Sequence, residues 1–397
     1  MTTSPRVRGW CPGAWRPMAS SDGLLVRVRP RLGRLTRAQG LALCDAAETF
    51  GSGLIELTRR ANLQLRGVSE AGWPSLMAFL VEHGLVDSNA EVERRPALML
   101  APDWRDGDAT HRAASLLVER LETWPTLPDK WGLAIDAGPE PVLTDASADL
   151  RLERSSEGGL LVRVDGRDLG IPVDDVDDAV ALMTRLAWWF VDVGGLEAGR
   201  MRRFTAPLPD WAAADAAATT APAASGPHLV PGAHPRGRVV GLPFGRAPAS
   251  VLRSAFCAED VTGVRVTPWR RLLLEGEGGA DAAPVEGLID DARDPRLAMD
   301  ACPGAPYCTQ ASVATLRLAD RLKGRLSERL SEQGGGRVHI SGCAKGCARG
   351  RSAEVCLTGR DGRYDLILGG RADDTPVATD LSPADAIERI VAVLEST

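Results

Sequence analysis

The chain has 397 residues, 44% of them hydrophobic and 25% charged, with a formal net charge of −6. That make-up predicts a soluble globular protein of two to three domain-sized units and excludes a membrane span, since the most apolar run, AVALMTRLAWWFVDVGGL, is broken by Arg185 and Asp192. The opening MTTSPRVRGW has arginines but no apolar core behind them, so the expectation is no secretory signal, no membrane contact and a cytoplasmic location.

In chain order, GLLVRVRPRLGRL (23–35) alternates apolar residues with arginine, which predicts a half-buried strand. Thr36 with Gln39 three positions later makes a capping-box start for a helix running to Phe50, and GSGLIELTRRANLQLRG (51–67) reads as two short strands. Residues 114–200 then hold a helix, a strand, a loop, two more strands and a closing helix at VDDVDDAVALMTRLA. The following APLPDWAAADAAATTAPAASGPHLVPGAHPRG has little apolar periodicity and reads as a linker.

From residue 237 the order recurs, as GRVVGLPFGRAPASVLRSAF and then TGVRVTPWRRLLLEG. Gly33-Arg34 matches Gly245-Arg246, and Gly53 with Arg60 seven residues on matches Gly263 with Arg270 seven residues on. Residues 311–397 repeat the later block, closing on LSPADAIERIVAVLE with Ser382 as N-cap and Pro383 at the first helical position. The predicted fold class is therefore α+β and duplicated, with a pseudo-two-fold and a site at the seam.

Residues 1–66 carry eleven arginines, no lysine and four acids, a local net of +7. One reading is a solvated face. The other is a site for a polyanion, because the arginine fork binds carboxylates bidentately. Nucleic acid is not expected as a partner, since no binding motif accompanies the charge and the whole chain is acidic.

Eight cysteines in a chain expected to be cytosolic point to metal or catalysis rather than disulfides. Cys11, Cys44, Cys257 and Cys356 are scattered, and Cys44 falls in an amphipathic pattern that predicts core packing. The other four cluster, Cys302 and Cys308 as C-x5-C, Cys343 and Cys347 as C-x3-C. Zinc prefers pairs two to four apart, which fits only the second. An iron-sulfur cluster fits unequal spacings, and glycines beside Cys343 and Cys347 bring amides to the sulfurs. Cys308 precedes a helix pattern (Val313, Leu316, Ala319, Leu322, Leu326), which predicts a thiolate at a positive helix end. Spacing alone leaves iron-sulfur, zinc and unconnected core cysteines open.

The layout resembles the sulfite and nitrite reductase family, in which C-x5-C followed by C-x3-C holds a 4Fe-4S cluster. SGCAKGCARGRSAEVCLTG is similar to its second cysteine block, and LTRRANLQLRG to its tetrapyrrole-binding Thr-x-Arg-x-x-x-Gln segment. LPDKWGLAID resembles the strand that brings a distal lysine. The resemblance implies two ferredoxin-like half-domains (1–85 and 237–290), two larger α+β units (86–204 and 291–397, the latter with the cluster) and a linker at 205–236. It further implies Cys302, Cys308, Cys343 and Cys347 as cluster ligands and Arg60 and Lys130 as tetrapyrrole contacts. Arg270, matched to Arg60 in the repeat, is expected on the opposite side of the same ligand.

Some cations of the reductases are missing here. The Ala-Lys-Gly between Cys343 and Cys347 departs from their common Pro-Asn-Gly; of the cations, Gly132 stands where they carry a second lysine, and ALMLAPDWRDGDATH has no Asn-Arg-Asn segment. Reduction of a small anion needs those charges. RGWCPGAWRPMASSDGLLVRVRP, VTPWRRLLL and DACPGAPYCTQASVAT resemble instead the precorrin-3B synthase branch. That branch implies an oxidoreductase that hydroxylates precorrin-3A with dioxygen and closes a lactone, in aerobic cobalamin biosynthesis. A sirohaem-dependent sulfite or nitrite reductase is the alternative. No G-x-G-x-x-G follows a strand, so electrons are expected from a separate reductase or ferredoxin. The resemblance also implies a mononuclear non-haem iron, but His83, His111, His228, His234 and His339 show no ligand spacing.

Overall fold

The computed structural model describes residues 12–213, 220–277, 284–326 and 337–395. Cys11 and the arginines before it lie outside the described residues. The first segment runs β1 (Met18–Ser20), β2 (Gly23–Val28), β3 (Arg34–Thr36), α1 (Arg37–Phe50), β4 (Leu54–Leu57), β5 (Leu63–Val68) and α2 (Trp73–Glu82). It continues through β6 (Ala97–Leu100), α3 (Ala109–Arg120), β7 (Gly132–Asp136), β8 (Leu150–Arg154), β9 (Leu160–Val164), β10 (Ile171–Val173) and α4 (Val176–Asp192). The second copy has β11 (Gly232–His234), β12 (Gly237–Gly241), β13 (Arg246–Pro248), α5 (Ala249–Phe256), β14 (Gly263–Val266) and β15 (Arg271–Glu275). It ends with β16 (Met299–Ala301), α6 (Thr315–Lys323), β17 (Val338–Ser341), β18 (Ala353–Arg360), β19 (Arg363–Gly370), β20 (Ala378–Leu381) and α7 (Pro383–Glu395).

Among the described residues the strands form four five-stranded sheets: β1-β2-β5-β4-β13, β11-β12-β15-β14-β3, β10-β9-β8-β7-β6 and β16-β17-β18-β19-β20. The first two have exchanged an edge. β13 of the second half completes sheet 1, and β3 of the first half completes sheet 2. The exchange starts where the predicted strand 23–35 breaks, because Pro30, then Leu32 (φ 52°) and Gly33 (φ 70°), turn the chain out of β2 into the other sheet. Phe244 (φ 54°) and Gly245 (φ 80°) do the same before β13. The two halves consequently share one apolar core, in which Val26, Val28, Leu65 and Leu43 pack with Val240, Leu252, Phe256 and Leu274. Each larger unit has its own core.

The predicted caps form as the sequence requires. Gln39 N donates to Thr36 Oγ1 at 3.2 Å and Thr36 N to the Gln39 side chain at 3.0 Å. Asp385 N donates to Ser382 Oγ at 3.2 Å. β6, β10, β16 and β20 are additional to the predicted elements. Within 205–236, Thr220 and Pro222 bridge to Gly170 and Ser155, and Gly232–His234 forms the edge of sheet 2.

The strand pairings correct one repeat match. Arg34 pairs with Arg265 and Arg246 with Glu56, so Glu56 and Arg265 are equivalent, and four residues later Arg60 falls on Trp269. Thr58 and Thr267 confirm this register, since each hydroxyl accepts the amides two and four residues on. Arg270 (φ 62°) therefore corresponds to Ala61 (φ 51°) and not to Arg60. The two glycines are one residue out of register, because Gly53 precedes its strand while Gly263 begins one.

A candidate cluster and tetrapyrrole site

The four thiols lie on two loops at the carboxyl ends of adjacent parallel strands, β16 and β17. Cys302 is buried, and its sulfur accepts the Gly342 amide at 3.1 Å, so the two loops touch. Glycine is required at both contacts: a Cβ at Gly304 would lie 2.2 Å from Thr315 Oγ1, and one at Gly342 would lie 2.5 Å from the Ala311 side chain. Cys347 is exposed, and partial desolvation, with the charges of Cys302, Cys343 and Cys308 adding to the rise and Lys345 opposing it, pushes its thiol up to about 11. Burial likewise raises Cys302, against amide hydrogen bonds from Gly342 and Gly304. The raised thiols of Cys302 and Cys347 are suited to a cationic metal group that removes their protons.

Among the described residues, no three His, Cys, Asp or Glu side chains converge as ligands of a single metal ion. A cluster that binds each sulfur through a different iron needs thiols around a common volume, with no shared point, and the Cys302–Gly342 contact brings the two cysteine loops together as that requires. The helix-end expectation for Cys308 is corrected. α6 starts at Thr315, seven residues beyond Cys308, and it is Thr315 that reaches the cysteine loop, donating to Cys302 O at 2.6 Å.

Asp300, two residues before Cys302 on β16, is the hub beside these loops. It binds Arg270 at 2.7 Å, Arg59 at 2.9 Å and Arg349 at 3.1 Å. Burial pushes the Asp300 carboxyl up, but these three arginines outweigh it and hold the group below its ordinary value. Arg270 also donates to Ala348 O at 3.1 Å, next to Cys347. Its guanidinium is thus committed to holding the cysteine loop. Arg60, from the same turn as Arg59, donates to Lys130 O at 2.8 Å, so Arg60 and Lys130 do come together.

The face of sheet 1 beside this turn is polar although it is buried. Arg27 donates to Gln64 at 2.7 Å, Gln64 to Glu56 at 3.1 Å, and Glu56 is ion-paired with Arg246 at 3.0 Å. The Cys302–Cys308 loop lies over it: Ser21 donates to Tyr307 O at 2.8 Å, and the Arg246 guanidinium stands 5.4 Å from the Tyr307 ring. The Arg246 guanidinium is buried, and beyond its ion pair with Glu56 its nitrogens make no hydrogen bond among the described residues. A second carboxylate would complement the nitrogens left over. At the equivalent positions of sheet 2, Val239 faces Leu273 where Arg27 faces Gln64.

Asp300, Arg59, Arg270 and Arg349 also line a cavity of about 370 Å³, with Arg271, Arg296, Arg351, Asp145, His228 and Trp269. Burial lowers the Arg271 guanidinium to about 10. An equivalent cavity of about 550 Å³ in the first half, containing Asn62, Arg95 and Leu98 where this one has Arg271, Arg296 and Met299, is balanced by Asp87, Glu93, Glu119 and Glu122.

Comparison with known proteins accords with this geometry. Residues 16–83 match the nitrite/sulfite reductase ferredoxin-like half domain. A precorrin-3B synthase from a Sinorhizobium species is 31% identical over 95% of this chain and 86% of its own length. The chain belongs to the precorrin-3B synthase family, a branch of the nitrite and sulfite reductases. Its relation to sulfite reductases themselves is partial: the hemoprotein beta-component 2 of Klebsiella pneumoniae is 29% identical over 41% of this chain and 30% of that one. The fold matches that of Mycobacterium tuberculosis NirA, with a TM-score of 0.63 at 19% identity, over 94% of this chain and 80% of that one. The relatives are oxidoreductases, and so is this family member. No helix among the described residues is long and apolar enough to cross a membrane.

Arg27, Glu56 and Asp300 are site residues that the motifs did not single out, whereas Gln64 closes the Thr-x-Arg-x-x-x-Gln segment and Arg246 was matched only as a repeat position. A signal was present for two of those three. Arg27 interrupts the apolar pair Val26 and Val28, which places it on the opposite face of β2, and Asp300 shares a strand face with Cys302. Of the histidines, His83 stacks on Phe79, His111 on Trp104 and His228 on Trp269, while His234 lies 3.9 Å from Asp103. They gather no ligand set for a mononuclear iron among the described residues.

Proposed function

We propose that this chain is a precorrin-3B synthase that holds precorrin-3A between the polar face of sheet 1 and the cysteine loops. The macrocycle's acetates and propionates meet Arg246, Arg27, Arg60 and Lys130, and further carboxylates reach the arginine-lined cavity. The observation that carries this reading is the contrast between equivalent sheet faces, because only the one under the cysteine loops has replaced Val and Leu by Arg and Gln. A buried arginine face is costly without an anionic occupant.

Cys302, Cys308, Cys343 and Cys347 hold a 4Fe-4S cluster, which supplies electrons when bound. Arg270 and Asp300 position its Cys347 loop. In the overall reaction one atom of dioxygen enters the macrocycle as hydroxyl, a ring acetate closes the lactone, and the second atom leaves as water. Two electrons from an external donor and two protons complete the balance. Gly132 accords with a large substrate rather than a small anion. A Cβ there would lie 3.1 Å from Ala97 O and 3.9 Å from Arg60 Nη1, so the position leaves room for Arg60 where the reductases carry a lysine.

The test is anaerobic reconstitution with iron and sulfide, then addition of precorrin-3A, a reductant and oxygen. The expected product is heavier by one oxygen atom. Sirohaem bands in the spectrum of the purified protein, with sulfite or nitrite turnover, would overturn the reading.

A further inference from the structure

His339 lies on β17 between Asp300 of β16 and Cys356 of β18, its register partners on either side. All three are buried, and His339 is 0% exposed. The imidazole Nδ1 is 3.4 Å from the Cys356 sulfur. The other nitrogen, Nε2, is buried with no hydrogen-bond partner among the described residues. The free edge of the ring faces the cysteine loop, since a Cβ on Gly346, between Cys343 and Cys347, would lie 3.6 Å from His339 Cε1. Gly346 takes a left-handed φ of 60° there, so the loop bends over the ring at a residue without a side chain.

The tautomer follows from the neighbours. Burial pushes the Cys356 thiol up to about 11, so it keeps its proton and donates it to Nδ1. Burial also takes His339 down to about 4, so the ring is neutral. A neutral ring that accepts at Nδ1 carries its one N–H on Nε2. A buried N–H seldom stays without an acceptor. The loop over that edge carries Cys343 and Cys347 on either side of Gly346, and a cluster held by them would supply the acceptor.

We propose that His339 donates a hydrogen bond from Nε2 to the sulfur of the iron-sulfur cluster, held in that tautomer by Cys356, and so raises the midpoint potential of the cluster. The inference rests on the reading of the four cysteines as cluster ligands. Reduction adds negative charge to the sulfurs, and a donor aimed at them stabilises the reduced state. His339 is a positioning residue for electron entry and touches no substrate.

The experiment is a redox titration of the reconstituted full chain, followed by EPR, for wild type, His339→Phe, Cys356→Val and Cys356→Ser. Removing the N–H in His339→Phe is expected to lower the reduced fraction at fixed potential roughly tenfold, a shift of about 59 mV for one electron. Cys356→Val is expected to shift the potential the same way by less, and Cys356→Ser, which keeps a donor to Nδ1, to leave it in place. An unchanged potential in His339→Phe, with iron and sulfide intact, overturns the proposal. If that variant does not assemble, wild type labelled with 15N-histidine decides, through a nitrogen hyperfine coupling to the reduced cluster whose absence overturns it equally. Lack of iron and sulfide in reconstituted wild type overturns the cluster reading itself, and this inference with it.

Discussion

Sheets 1 and 2 are built to the same plan and used differently. Both carry an ion triad at matching positions, with the charges exchanged at two of the three. In sheet 2, Glu275 on β15 binds Arg265 at 2.6 Å and Arg34 at 2.5 Å. In sheet 1 the carboxylate is on β4 instead, where Glu56 binds Arg246 at 3.0 Å and Arg66 at 3.5 Å. Arg34 and Arg246 come from the exchanged strands, so each triad fastens one half to the other. Beyond the triad the faces diverge, with Val239 and Leu273 filling sheet 2 and Arg27 and Gln64 filling sheet 1. The larger units diverge at the same place. Ala101 N bonds Ile135 O at 2.9 Å as Cys302 N bonds Ile340 O at 3.2 Å, so the first copy has alanine where the second has its first cysteine. Interlocking required both copies to keep the triads, whereas ligand chemistry required one face only.

The largest effect expected is at the cysteines. Cys343→Ser should abolish the cluster, read as loss of iron, acid-labile sulfide and the EPR signal of the reduced protein. Ala101→Ser, at the equivalent of Cys302, should leave all three in place.

The triads come next. Glu275→Gln leaves Arg34 and Arg265 without their shared carboxylate, and about 3–4 kcal/mol of stability should be lost in denaturant titration. Burial raises the Glu275 carboxyl, but Arg265 and Arg34 hold it below its ordinary value of 4.5. The sign follows: this contribution is present above that value and is lost as pH falls through the folded one, so the variant should flatten the acid limb of the stability curve.

Asp136, where the second copy has Ser341, gives the opposite slope. Its carboxylate accepts the Val142 and Leu143 amides at 2.6 Å each, yet burial pushes it up to about 6 from 3.8. The folded state therefore holds its proton longer, and stability should fall by about 3 kcal/mol as pH rises from 3.8 to 6. Asp136→Asn should remove that decline, as measured by thermal unfolding across the range.

The smallest effects sharpen the contrast between faces. Arg27→Val with Gln64→Leu gives sheet 1 the residues of sheet 2, and should keep the fold while weakening precorrin-3A binding. Arg60→Ala should cost about 1.5–3 kcal/mol of affinity, roughly ten- to a hundredfold in Kd. Arg270→Ala should leave affinity less affected and disturb the cluster signal instead, because its guanidinium is taken by Asp300 and Ala348. Equal losses of affinity from Arg60→Ala and Arg270→Ala would restore the symmetric placement that the strand register removes.

Patterns confined to short stretches were legible without coordinates. The capping box at Thr36, the closing helices, the duplication and the two cysteine spacings each depend on neighbours within a few residues or on comparing one stretch with another. The family resemblance rested on such motifs as well. What escaped them depended on partners far along the chain. Asp300 is defined as a hub by Arg59, Arg270 and Arg349, and the polar face of sheet 1 is completed by Arg246 from the other half. The break after Pro30 shows the limit well: the alternation of 23–35 is real, but whether its last residues extend sheet 1 or cross to sheet 2 is settled by the left-handed turn at Leu32 and Gly33 and by pairing with β14. Sequence by itself determined which residues could bind iron and carboxylates, because side-chain chemistry is local. Tertiary structure alone decided which of those arginines are already neutralised by an internal acid, since that depends on packing across the seam.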